Sequence, residues 1–183
     1  MYIENNKLYT SSKAEVKNVT ASTILVSGTS YEAGDKSVIV NLKSQWANST
    51  KSSISGYKCF QSNKSYNVNS GVDIMTITIK GFTKFTCYIR SYAESNYDYV
   101  MIGQLDQAIT GSSKYSNTTL VKAHTCGNQQ SGTALSNYTK VTYSGIDGGE
   151  HTITVVYRKD GSVNNGDDRG YLLIPDENLT INA

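Results

Sequence analysis

Asp73-Ile-Met-Thr-Ile-Thr-Ile-Lys80-Gly-Phe-Thr-Lys-Phe85-Thr-Cys-Tyr-Ile-Arg-Ser-Tyr92 decides how the chain is read. Met75, Ile77 and Ile79 fall on one side of a period-two alternation, with Thr76 and Thr78 on the other. After the Lys80-Gly break the alternation resumes, with Phe85, Cys87 and Ile89 opposed by Thr86, Tyr88 and Arg90. Side chains of a strand point alternately to opposite faces, so this pattern predicts two half-buried strands joined by a turn.

The same period appears further along. Tyr97–Ile102 is apolar on both faces except at Asp98, as expected of a strand with neighbours on either side. Thr118–Ala123, Tyr138–Tyr143, His151–Arg158 and Gly170–Ile174 are further candidates, and Ile153, Val155 and Tyr157 are expected to point inward. Ser144-Gly, Asp147-Gly-Gly and Asp160-Gly supply turn chemistry between them. No segment of ten residues carries a helical stripe. About seven or eight strands between Tyr57 and Pro175 predict an all-β fold, a two-sheet sandwich or jelly roll.

Residues 1–55 read differently, as an N-terminal arm or small β-subdomain and a possible docking segment, with the sandwich occupying 56–183. The arm carries short β-like runs at Thr23–Val26 and Ser37–Leu42. Gln45–Gly56 is polar and non-periodic, as in a linker. Trp46 stands alone in it, either as a docking anchor or as a plug on the edge of the sandwich.

Composition narrows the function classes. Charged residues are 17% of the 183 and the net charge is +2, too little field to hold nucleic acid or an anionic surface. No run of about 18 apolar residues is present to cross a bilayer. The start Met1-Tyr-Ile-Glu-Asn-Asn-Lys7 lacks a basic, apolar leader, so a soluble cytoplasmic product is expected. Three cysteines at wide spacing, Cys59, Cys87 and Cys126, suit neither a disulfide framework nor a zinc site. Cys87 is in phase with the buried face. Fourteen tyrosines are suited to half-buried strands and wet interfaces.

Two strings are more specific: Phe85-Thr-Cys-Tyr-Ile-Arg-Ser-Tyr-Ala-Glu-Ser-Asn-Tyr-Asp-Tyr-Val100 with Leu105-Asp106, and Gly148-Gly-Glu-His-Thr-Ile-Thr-Val-Val-Tyr-Arg-Lys-Asp160 running on to Ile174. Together they resemble the jelly-roll modules of the MAM and bacterial cleaved-adhesin type, over about two-thirds of the chain. The Tyr88-Ile-Arg-Ser-Tyr-Ala-Glu-Ser-Asn-Tyr-Asp-Tyr99 string and the Val156-Tyr-Arg-Lys-Asp160 loop are also similar to virion proteins of crAss-like bacteriophages of Bacteroides. That resemblance implies a particle component: a head fibre, a capsid decoration protein or a tail appendage. Its implied location is the virion and its implied partners are capsid or tail proteins.

Glu94 and Asp98, two carboxylates within five residues, invite a glycosidase reading with one acid and one base or nucleophile. They sit at one strand's end and the next strand's start rather than across a cleft. Pairing with Arg90, Arg158 or Lys159 is therefore the favoured reading, and Glu94→Ala is expected to lower thermal stability. Tyr88, Tyr92, Tyr97 and Tyr99 form the densest aromatic cluster, a candidate binding or interface face for glycan or protein, with Tyr97 and Tyr99 on one side. Asp160, Ser162 and Asn164 have a spacing a calcium loop can use, although Asn165 and Tyr171 stand where such a loop wants Gly and Glu, and a polar turn is favoured. His151 reads as a satisfied structural residue. His124 beside Cys126 is too sparse for a metal site. No phosphate loop, dinucleotide fingerprint or nucleophile elbow is present.

Three readings follow: a non-catalytic virion structural protein, a carbohydrate-binding or adhesin module, and a glycan-active enzyme, the first preferred and no cofactor expected. A homo-oligomer, dimer or trimer, is expected from the polar arm and the low-charge, tyrosine-rich body.

Overall fold

A computed structural model describes residues 2–4, 7–9, 29–33, 36–50, 54–94, 97–110, 121–123, 134–162 and 166–178. Thirteen strands run through these residues. They are β1 (Tyr2–Glu4), β2 (Lys7–Tyr9), β3 (Thr29–Ala33), β4 (Lys36–Asn41), β5 (Trp46–Asn48), β6 (Tyr57–Ser62) and β7 (Val72–Lys80). After them come β8 (Lys84–Tyr92), β9 (Tyr99–Ile102), β10 (Val121–Ala123), β11 (Thr139–Ser144), β12 (His151–Arg158) and β13 (Arg169–Pro175). The helical content of the described residues is two single turns, Leu135–Asn137 and Asp176–Asn178.

Strands β1 and β2 pair with each other. The others form a six-stranded sheet, ordered β10-β9-β12-β7-β4-β3, and a five-stranded sheet, ordered β11-β8-β13-β6-β5. Every pairing is antiparallel. The eight strands from β6 to β13 nest as β6 with β13, β7 with β12, β8 with β11 and β9 with β10. A long hairpin folded over on itself in this way, with its strands dealt alternately to two sheets, is a jelly roll. The seven or eight strands expected over 57–175 are present as eight, with jelly-roll connectivity.

The faces follow from the alternation. Met75, Ile77 and Ile79 of β7, Phe85, Cys87 and Ile89 of β8, Ile153, Val155 and Tyr157 of β12, and Leu172 and Ile174 of β13 fill the layer between the sheets. Each fully buried aliphatic there contributes about 1.5–3 kcal/mol of transfer free energy. The sheets approach closely at Gly170, where a Cβ would lie 2.5 Å from Val100 Cγ2, so a side chain has no room.

Strands β9, β12 and β13 have buried residues on both faces because each sheet also has a covered outer side. On the six-stranded sheet, Tyr99, Met101 and Val156 lie under Ile109 of the turn that follows β9. On the five-stranded sheet, Cys59, Tyr171 and Leu173 pack with Tyr138, Tyr57 and Leu135. All seven residues of β13 are consequently buried.

The boundary expected near residue 56 is corrected. Strand β4 pairs with β7 in register Val38↔Ile79 and Val40↔Ile77, and β5 pairs with β6. Val38 and Val40 lie in the main core, so residues 36–48 belong to the sandwich and not to an arm. Trp46 is 3% exposed in the same core, which makes it a plug and not a docking anchor. The run Thr23–Val26 lies outside the described residues.

Candidate functional site

Strand β12 links the two polar ends of the sandwich: His151 begins it at one end, and Lys159 follows it at the other. Eight residue steps of about 3.3 Å put those ends roughly 26 Å apart.

At the Lys159 end the β6–β7, β8–β9 and β12–β13 loops meet. Asp98 is buried, and both of its oxygens are used for architecture: Oδ1 accepts the Asp160 N–H at 2.7 Å and Oδ2 accepts the Glu94 N–H at 3.1 Å. The Lys159 ammonium, fully buried, lies 3.4 Å from Asp168 Oδ1, 3.8 Å from Asp98 Oδ2 and 4.0 Å from Asp160 Oδ1. It also donates to the Ser162 carbonyl at 3.2 Å. Asp168 accepts the Asn67 N–H through Oδ2. Burial raises the Asp168 pKa, the Lys159 charge opposes that rise and the Asp98 charge adds to it. One ammonium thus neutralises part of a three-carboxylate cluster and binds the loops to one another.

Asp73 does similar work beside it. Its Oδ2 accepts the Asn63 and Ser65 N–H groups at 2.9 and 3.0 Å, and its Oδ1 accepts the Ser65 hydroxyl at 2.6 Å. Arg169 donates to the Ser62 carbonyl at 2.6 Å and to Asn63 Oδ1 at 3.0 Å, while its guanidinium stacks 4.2 Å from the Tyr66 ring centroid. Asp73, Asp168, Arg169 and Tyr66 were not singled out from the sequence. The available signal was an aspartate at the mouth of two apolar strands.

The expected carboxylate and basic network is therefore only partly assembled. Asp98 and Lys159 meet, and Glu94 joins through its backbone, with side-chain Oε2 buried and without a hydrogen-bond partner among the described residues. Arg90 belongs elsewhere, on the outer side of the five-stranded sheet, between the Tyr92 ring at 4.8 Å and the Tyr138 ring at 5.7 Å. Arg158 lies on the outer side of the other sheet and donates to the Tyr99 hydroxyl at 3.4 Å. For a glycosidase pair the geometry is unsuitable, because Asp98 is sealed inside and its lone pairs are committed to backbone N–H groups.

The tyrosines do not form one face. Tyr88 stacks edge-on with Tyr57 at 5.7 Å and shares the outer side of the five-stranded sheet with Tyr92. Tyr99 is buried on the six-stranded sheet, whereas Tyr97 lies in the preceding turn and is 58% exposed. Two-residue spacing failed to put Tyr97 and Tyr99 together because strand geometry starts only at Tyr99. Tyr66, 45% exposed, is the second exposed ring at this end.

In the Asp160 loop, Oδ1 accepts the Ser162 N–H and Oδ2 accepts the Ser162 hydroxyl, both at 2.9 Å. This is a self-contained turn beside the Lys159 ammonium, and Asn164 lies outside the described residues. Among the described residues no group of three His, Cys, Asp or Glu side chains is arranged to hold a metal ion. Burial pushes the Cys59 and Cys87 thiols up to about 12, which leaves both as core residues rather than nucleophiles. His124 and Cys126 lie outside the described residues.

At the other end, His151 Nδ1 is 2.7 Å from Asp106 Oδ2 and His151 Nε2 is 2.9 Å from Asp147 Oδ1. Hydrogen bonds to the two carboxylates raise the His151 pKa, and those to His151 lower both aspartates. The expectation of a satisfied histidine is met, with partners 45 and 4 residues away in sequence.

No protein-family model, no curated protein and no solved structure matches this chain.

Proposed function

We propose that this chain is a non-catalytic structural component of a bacteriophage particle, a head fibre, capsid decoration or tail appendage. In this reading it is made in the host cytoplasm and assembled, as a homo-oligomer, with capsid or tail proteins. The observation that carries it is the contact between the two strings on which the virion resemblance rests. Asp98, closing the first, accepts the Asp160 N–H at 2.7 Å, and Lys159 of the second reaches the same carboxylate. Asp98, Lys159 and Asp160 are thus consumed in joining loops, which supports a load-carrying module over an enzyme. Mass spectrometry of purified particles is expected to find the chain at many copies per virion. Its presence in infected cells but not in washed particles would overturn the proposal.

A second reading, a carbohydrate-binding or adhesin module, is favoured by one observation: the exposed rings of Tyr66 and Tyr97 stand on the loops tied by the buried charge cluster. Tyrosine faces held rigidly suit stacking on sugar rings. A glycan array is expected to register binding that Tyr66→Ala with Tyr97→Ala abolishes. Silence across the array removes this reading and leaves the first in place.

A further inference from the structure

The bridge at His151 has a chemical requirement that follows from its atoms alone. Ionised carboxylates only accept hydrogen bonds, and a neutral imidazole has one N–H. With carboxylate oxygens at 2.7 and 2.9 Å from the two ring nitrogens, both contacts are hydrogen bonds only when the ring carries both protons. After loss of one proton, a bare nitrogen lone pair faces a carboxylate oxygen and that contact becomes repulsive.

The two carboxylates are not held equally. Asp106 is fixed to β12 by other bonds: its N–H donates to the Thr152 carbonyl at 2.7 Å, and its Oδ1 accepts the Thr152 N–H at 2.8 Å. Asp147 is 76% exposed along its side chain, and its other bond, from the Gly149 N–H, lies within its own turn. The ring therefore keeps its remaining proton on Nδ1 toward Asp106, and the turn 144–150 is the part that yields. These are the charged groups that face the ring, one from each adjoining turn. Across the ladder its neighbour on β7 is the apolar Ile79, and Glu150 precedes it on its own chain segment.

That turn closes this end of the core. Ile146 is buried in the main cluster, its N–H bonds to the Thr83 carbonyl at 3.2 Å, and the Gly148 carbonyl accepts the Gly81 N–H at 2.9 Å. We propose that the β11–β12 turn is a proton-held plug: doubly protonated His151 clamps it shut through Asp147, and deprotonation loosens Ile146 from the end of the sandwich.

The test is amide hydrogen exchange of the full chain, followed by NMR together with the imidazole titration. The Ile146 and Gly81 amides, corrected for intrinsic rates, are expected to lose roughly tenfold protection with the same midpoint as the ring, about the factor for losing one net hydrogen bond. Asp147→Asn sharpens the test, because it removes the charge that the imidazolium attracts while an amide oxygen at Oδ1 still accepts the Gly149 N–H. This variant is expected to show a smaller pH response than the parent chain. Protection in the parent chain that ignores the ring's titration overturns the proposal, and so does an undiminished pH response in Asp147→Asn.

Discussion

The two ends of the sandwich are closed by the same device in different materials. At one end a buried ammonium, Lys159, is set among Asp98, Asp160 and Asp168; at the other a partly exposed imidazole, His151, is set between Asp106 and Asp147. An imidazole changes its charge within the ordinary pH range. Burial also differs: the lysine end is desolvated, so its charges are costly to leave unpaired, whereas the aspartates at the histidine end keep water around them. One end is thereby permanent and the other conditional.

The largest expected effect breaks the permanent end. Lys159→Met leaves buried carboxylates without their counter-charge and is expected to cost about 3–5 kcal/mol, read from urea unfolding. Adding Asp168→Asn to that variant is expected to recover part of the loss, because burial disfavours the Asp168 charge. A loss below about 1 kcal/mol would show that Lys159 acts as a surface charge does.

An intermediate effect concerns the conditional end. The folded His151 pKa is raised, so its stabilisation is complete below the unfolded value of about 6.5 and is lost as pH rises through the folded value. Asp106 and Asp147 are lowered, so their share is present above about 3.8 and is lost as pH falls through their folded values. Melting temperature should therefore decline from mildly acidic toward alkaline pH, and His151→Gln should flatten that slope. An equal slope in both proteins would remove the distinction between the ends.

The smallest effect is at Glu94. The sequence suggested that its carboxylate supports the fold, but the contribution comes from its backbone N–H, which alanine retains. Glu94→Ala is expected to change stability by no more than about 0.5 kcal/mol. Chelator is likewise expected to leave the melting curve in place, since Asp160 and Ser162 satisfy each other.

What could be read from the chain follows the range of each interaction. The faces of β7, β8 and β12 were legible because alternation is local and each face is uniformly apolar. Strands β4 and β5 were mistaken for arm and linker because a short strand needs only one or two inward residues, here Val38, Val40 and Trp46, amid polar neighbours. Asp98 was read as a structural carboxylate and accepts two backbone N–H groups, whereas Asp168 and Asp73 were missed, since their partners are set by sheet register. The Asp147-Gly-Gly turn and His151 were each visible, but the bond to Asp106 spans 45 residues and appears only when β9 lies beside β12.

Strand β13 carries one more consequence. It lies in the middle of the five-stranded sheet with every residue buried, and it pairs with β6 and β8, whose residues are made about a hundred positions earlier. A nascent chain lacking β13 has a gap at the centre of one sheet, with Phe60 and Ile89 losing their neighbour Leu172 across the ladder. Such long-range pairing slows folding and leaves sticky strands waiting. The module must therefore complete itself late in synthesis, in a single closing step, rather than growing strand by strand.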